Sequence, residues 1–165
     1  MIIQRLEPGE ARRAHDLLAA SGQALLRQGL DHWSPPAPLA SVTEQCTTKE
    51  VFVAVLAGRD AATWTMGTFG WHDDPGWSVA RSPWYLSRFT VHPDLQGHGI
   101  GRALAERIVA AWRARGADVI RLDVVVASAA AVAFWERLGW RRCGGWNWTN
   151  WHGKHIDLIN LERKL

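Results

Sequence analysis

Val91-His92-Pro93-Asp94-Leu95-Gln96-Gly97-His98-Gly99-Ile100-Gly101-Arg102 runs from the end of a strand, through a turn, into a helix. Pro93 closes the strand, because it brings no N–H to a ladder. Gly97, Gly99 and Gly101 follow at alternate positions. Glycine reaches positive φ and lets backbone N–H groups come close to a ligand. The helix that begins there adds orphan N–H donors and the positive end of its aligned peptide dipoles. Together these features suit an anion of pyrophosphate size.

The flanking segments extend this pattern. Residues 84–91 read as a strand. Residues 99–115 read as a helix, with Ile100, Leu104, Ile108 and Trp112 four apart on one face and Gly116 as its stop. Residues 119–126 are almost continuously apolar, as in a buried strand. Strand, helix and strand in this order predict a parallel pair joined by a right-handed crossover. A helix over 128–138 follows, with Ser128 as N-cap and Gly139 as stop. Strands over 140–149 and 155–161 end the chain. Towards the N-terminus the pattern gives a strand over 1–6. A helix then opens at Pro8-Gly9-Glu10, carries Ala14, Leu17, Leu18, Leu25 and Leu26, and is interrupted near Ser21-Gly22. A Pro-rich loop over 32–38 holds Trp33. A short helix over 41–48, a strand over 51–56, a turn at Gly58-Arg59-Asp60, a strand over 62–71 and a loop over 72–83 complete the order. No internal repeat or linker interrupts it. The expectation is one α/β domain over 1–165, with a mixed central sheet of about seven strands and flanking helices.

Composition narrows the function. The chain has 165 residues, 47% hydrophobic and 21% charged, an ordinary globular balance that excludes disorder and fibrous repeats. Net charge is +3, and no Lys/Arg run exceeds a pair, so no nucleic-acid module is expected. A mild basic bias suits a small polyanionic ligand. Cys46 and Cys143 lack metal-ligand spacing, and no metal site is expected. Residues 1–5 lack a signal-peptide pattern. The longest nearly apolar run, 124–135, is shorter than the roughly 20 residues a bilayer span needs. The expectation is a soluble cytoplasmic protein that does not engage membranes. There are 11 Trp but one Tyr, Tyr85.

Three anion-binding patterns compete for residues 96–102. A P-loop needs Gly-Lys-Ser/Thr after its glycines, and Ile100-Gly101-Arg102 does not supply it. A dinucleotide fingerprint needs a third glycine where Arg102 stands, although Asp118 or Asp123 fills the place of its later acidic residue. A third pattern, Gln/Arg-x-x-Gly-x-Gly/Ala, fits Gln96-Gly97-His98-Gly99-Ile100-Gly101 throughout.

This loop resembles that of the GNAT family of N-acetyltransferases. Two further segments carry the resemblance. Phe89-Thr90-Val91-His92-Pro93 is similar to the family's strand ending Val-x-Pro. Ser128-Ala129-Ala130-Ala131-Val132-Ala133-Phe134-Trp135-Glu136-Arg137-Leu138-Gly139-Trp140 keeps the register of Asn-x-x-Ala-x-x-x-Tyr-x-x-x-Gly-Phe. The resemblance is strong over 84–140, and elsewhere it rests on strand order. It implies a GNAT-like fold whose parallel strands 84–91 and 119–126 splay apart. It implies acetyl-CoA as co-substrate, with the pantetheine arm on the backbone of Phe89, Thr90 and Val91. Gln96, Gly97, His98, Gly99, Ile100, Gly101 and Arg102 would cradle the pyrophosphate, with Ser128 and Trp135 alongside. It implies transfer to a primary amine of a small molecule, amino acid or peptide terminus, in a ternary complex. A homodimer is among the assemblies common in the family.

The proton chemistry needs a base, because an ammonium near pKa 10 must lose a proton before it attacks. Asp123 lies inside an apolar strand, where burial raises a carboxylate's pKa. The resemblance to ribosomal-protein acetyltransferases around Leu122-Asp123-Val124 also points to it. Pairing with Arg121 is the competing reading of Asp123. His92, His32 and Glu44 are weaker candidates. The family's tyrosine acid is replaced by Trp135, whose indole N–H is a donor only. The family's asparagine is replaced by Ser128, which is left to assist the departing thiolate. A sensor that binds coenzyme A without turnover is the alternative, as is a nucleotide-binding module. On the acceptor side, Trp33, Trp77, Trp146 and Trp148 are the candidate walls, along with Trp151. Trp112, Trp135 and Trp140 read as core or cofactor-facing. Tryptophan faces attract cations.

Overall fold

The computed structural model describes residues 1–70, 74–150 and 152–165. Seven strands form one mixed sheet: β1 (Ile2–Arg5), β2 (Glu50–Leu56), β3 (Arg59–Gly67), β4 (Pro83–Val91), β5 (Val119–Val125), β6 (Arg141–Thr149) and β7 (His155–Lys164). Their spatial order is β1-β2-β3-β4-β5-β7-β6. Four helices accompany them: α1 (Ala11–Arg27), α2 (Leu39–Thr48), α3 (Ile100–Ala114) and α4 (Ala129–Arg137). The chain packs as two compact units, Met1–Gly67 with Leu86–Leu104 and Thr68–Tyr85 with Ala105–Leu165.

In the first unit, β1, β2 and β3 form an antiparallel meander. The β2–β3 hairpin turns on Ala57 and Gly58, both at positive φ (49° and 79°). A two-residue turn of this hand matches the twist of its strands. The turn therefore lies before Arg59 and Asp60, which already belong to β3. The expected break at Ser21-Gly22 does not occur. Both residues are buried inside a continuous α1. A Cβ on Gly22 would run into the Trp33 backbone carbonyl, so this glycine serves close approach and does not end the helix. Leu6, Ala11, Ala14, Leu17, Leu18, Val42, Cys46, Val51 and Val53 form the core here, with Trp33, Leu39 and Val55 packed on it.

In the second unit, β5 pairs antiparallel with β7, and β7 with β6. The start of β4 pairs parallel with β5, Pro83↔Val119 through Tyr85↔Arg121. This is the parallel pair the sequence predicts. Asp118, just before β5, holds the chain just before β4. Its carboxylate accepts from Arg81 N (2.6 Å) and Ser82 N (3.1 Å), and its own N donates to Ser82 O (3.3 Å). The predicted face of α3 is buried at Leu104, Ile108 and Trp112. Arg115 lies 4.8 Å over the Trp84 ring and 4.9 Å over Trp112. No helix among the described residues is long and apolar enough to cross a membrane.

Candidate active site

The glycine-rich loop belongs to the first unit. Pro93–Leu95 forms a single 3-10 turn, capped by His92, whose Nδ1 accepts from Asp94 N at 3.3 Å. His92 N also donates to Ala61 O (2.8 Å), which ties the loop to β3. Its place as a cap gives His92 a structural task. Gln96 Nε2 reaches back to Val91 O (3.0 Å) and closes the loop on the end of β4. Gly97 and Gly99 take φ of 79° and 77°, and nothing lies within 4 Å of where a Cβ would stand on either. That cradle is open, exposed and headed by the N-terminus of α3, as a bound pyrophosphate requires. His98 is exposed, with its Nδ1 2.8 Å from Gln96 O. Arg102 is exposed on the first turn of α3, and Ile100 is half-buried.

Upstream on β4, Thr90 is buried, and its Oγ1 lies 2.6 Å from Ser21 Oγ on α1. Phe89 is half-buried and Val91 buried. Arg88, not singled out by its sequence context, sits at φ 52°, a region that side-chain-bearing residues seldom occupy. Its Nη2 donates to Ser41 Oγ (3.0 Å), and burial draws its guanidinium down to about 10. Trp33 and buried His32 lie with their rings 6.1 Å apart. Glu44 is exposed on α2.

The second unit holds the candidate base. Asp123 is half-buried on β5, opposite Asn160 of β7, and Asn160 is in turn opposite Gly144 of β6. Cross-strand partners share a face. Asp74 lies over Gly144, accepting from Asn160 Nδ2 and Gly76 N, both at 2.6 Å. Asn160 is fully buried. Its signal in the sequence is a polar residue in the inward register of Ile156 and Leu158. Arg121 donates to Tyr85 OH (2.7 Å) and Ser78 O (2.6 Å) and lies 4.0 Å from Glu162. The lone tyrosine is thus a partner of Arg121. Arg121 also stacks on Trp77, 5.1 Å from its centroid, so the cation on that indole is the protein's own.

Ser128 stands at the N-cap of α4 and is buried, but its hydroxyl makes no cap bond; its carbonyl accepts from Ala131 N and Val132 N. Trp135 is 6% exposed, packed between Phe134 (4.9 Å) and Trp140 (5.1 Å). Trp146 and Trp148 are half-buried on β6, opposite buried Leu158 and Ile156, with exposed Asn147 between them and exposed Thr149 after them. Trp151 and the loop residues 71–73 lie outside the described residues. The Cys143 thiol is pushed up to about 11, by burial first and then by the negative charges of Glu162 and Asp74. No group of three or more His, Cys, Asp or Glu among the described residues could hold a metal ion.

Comparison with known proteins adds to this geometry. The model of the acetyltransferase (GNAT) family matches residues 22–140. A mycothiol acetyltransferase of Beutenbergia cavernae is 34% identical over 95 residues, 51% of this chain and 32% of that protein. The [ribosomal protein bS18]-alanine N-acetyltransferase of Escherichia coli strain K12 is 41% identical over 54 residues, 33% of this chain and 36% of that protein. The chain thus spans about a third of the length of each of these relatives. A Salmonella typhimurium structure solved with its cofactor acetyl-CoA shares the fold, at a TM-score of 0.69 and 19% identity, covering 100% of this chain and 94% of that one. With the family match extending over most of its length, including the glycine loop, the chain belongs to the acetyltransferase (GNAT) family.

Proposed function

We propose that this chain is an acetyl-CoA-dependent N-acetyltransferase, transferring acetyl to a primary amine by direct transfer in a ternary complex. Its two compact units serve as one acetyltransferase domain over residues 1–165. The acceptor is a small amine, an amino acid or a peptide amino terminus. The carrying observation is the open cradle at Gly97 and Gly99, at positive φ on the start of α3, within the family match. The relatives named as a mycothiol acetyltransferase and a ribosomal-protein-alanine acetyltransferase support the reaction class.

When bound, acetyl-CoA supplies an activated acetyl thioester. Backbone groups of Phe89, Thr90 and Val91 hold its arm, and residues 96–102 hold its phosphates. Asp123 takes the proton from the acceptor's ammonium, which leaves the nitrogen lone pair to form the new N–C bond as the C–S bond breaks. A thiolate of pKa about 8.5 leaves readily near neutral pH. The nitrogen sheds its second proton as the amide forms, and that proton reaches the thiolate through water, with Ser128 assisting. Trp135 contributes packing to α4, because an indole N–H cannot serve as a titrating acid at this pH.

A second reading, a sensor that binds coenzyme A without turnover, is favoured by that same buried Trp135. Calorimetry with acetyl-CoA, NAD and ATP, followed by coenzyme A release with an amine panel, tests both. Acetyl-CoA binding with turnover supports the enzyme. Binding without turnover across the panel supports the sensor. Failure to bind acetyl-CoA overturns both.

A further inference from the structure

Arg88 immediately precedes the strand residues proposed to hold the pantetheine arm, so whatever its side chain binds lies a few ångströms along β4 from them. Its φ of 52° carries a conformational cost that glycine would avoid. Strain of this kind collects at ligand-holding positions. The chain nevertheless places its largest cationic side chain there. Arg88 Nη2 donates to Ser41 Oγ (3.0 Å), a neutral partner that keeps its own hydroxyl proton to donate elsewhere. Ser41 lies in the first turn of α2. That turn has no acidic residue, and its N-cap, Pro38, makes no side-chain cap bond. The positive end of a ten-residue helix therefore adjoins the guanidinium. Its surroundings taken together disfavour the charge, drawing the group down to about 10 through burial. An arriving anion reverses that balance. A guanidinium fork matches a carboxylate in two parallel hydrogen bonds.

We propose that Arg88, with Ser41, receives a carboxylate of the acceptor, which makes the preferred substrates amines that carry a carboxylate: free amino acids and their close analogues. This rests on the acetyltransferase reading above and names the substrate class of the same site.

The test pairs each standard amino acid with its carboxamide as acceptor and measures coenzyme A release. The unaltered protein should favour the free acid by about tenfold or more in kcat/KM, as a site built around a polar group does. Arg88→Met should bring the ratio to within about twofold of unity, Arg88→Lys should keep part of it, and acetyl-CoA affinity by calorimetry should hold in both. Ser41→Ala, a smaller change that spares the fold should Arg88→Met unfold it, should lower the ratio several-fold. In the unaltered protein with coenzyme A bound, N-acetyl amino acids should bind more tightly than their amides. Equal use of acid and amide, a preference surviving in Arg88→Met, or no acid turned over while acetyl-CoA still binds would each overturn the inference. The last outcome leaves the coenzyme reading standing. Absence of acetyl-CoA binding instead brings down the acetyltransferase reading itself.

Discussion

At the scale of single residues, Gly22 and Asp123 make opposite demands. An alanine inside a helix is ordinarily about 1 kcal/mol better than glycine. In α1 the methyl of Gly22→Ala meets the Trp33 carbonyl, so we expect a loss of about 1–3 kcal/mol from overpacking, measured by urea denaturation. The sequence marks Gly22 as special but suggests a helix break, because the crowding atom lies eleven positions away. Asp123→Asn should lower kcat about 10²–10⁴-fold near neutral pH. The loss should shrink as pH rises towards the acceptor's own pKa, where neutral amine no longer needs the base. A rate deficit independent of pH would assign Asp123 to structure. The carboxylate is legible in the sequence. Its neighbour Asn160, joined to Asp74 across 86 residues, is not.

Among the elements, the glycine loop, α3, β5 and α4 can all be read from the sequence to within a residue or two. Their periodicity and stops are local, as with Gly116 and Gly139 at φ of 84° and 81°. Long-range ties escape such a reading. Asp118 enters the sequence reading only as a possible acidic residue of a dinucleotide pattern, yet it joins the starts of β4 and β5. Hydrogen bonds from Arg81 N and Ser82 N hold its pKa below the usual range. A depressed carboxylate stabilises the fold above its unfolded pKa, and that contribution is lost as pH falls through the folded value. The Tm of Asp118→Asn should therefore lie below that of the unaltered protein from pH 8 to 5. The gap should begin to narrow only as pH falls below the unfolded value, about 4, and should close once pH has fallen through the lower folded value, where both side chains are neutral. A gap unchanged down to pH 2.5 would show that the carboxylate's charge plays no part in holding the two strand starts.

For the molecule as a whole, net charge of +3 and an open cradle at a helix start both favour a polyphosphate ligand. At acetyl-CoA a hundredfold above its Kd, unfolding should cost about 2.7 kcal/mol more, seen as a rise in Tm. The rise should fall with added salt, which screens exposed phosphate contacts. The tryptophan surplus has been distributed by folding. Trp77 carries Arg121, Trp135 and Trp140 pack together, and Trp146 and Trp148 cover one face of an edge strand. The two cysteines have a quieter consequence. A thiol held near pKa 11, as Cys143 is, is thiolate in only about one molecule in ten thousand at neutral pH. Cys46 is buried and also shifted upward. If the proposed reaction releases coenzyme A thiol at every turnover, these cysteines are poor thiolate nucleophiles toward any coenzyme A disulfide that later oxidation forms, so the exchange that would leave coenzyme A on the protein is slow.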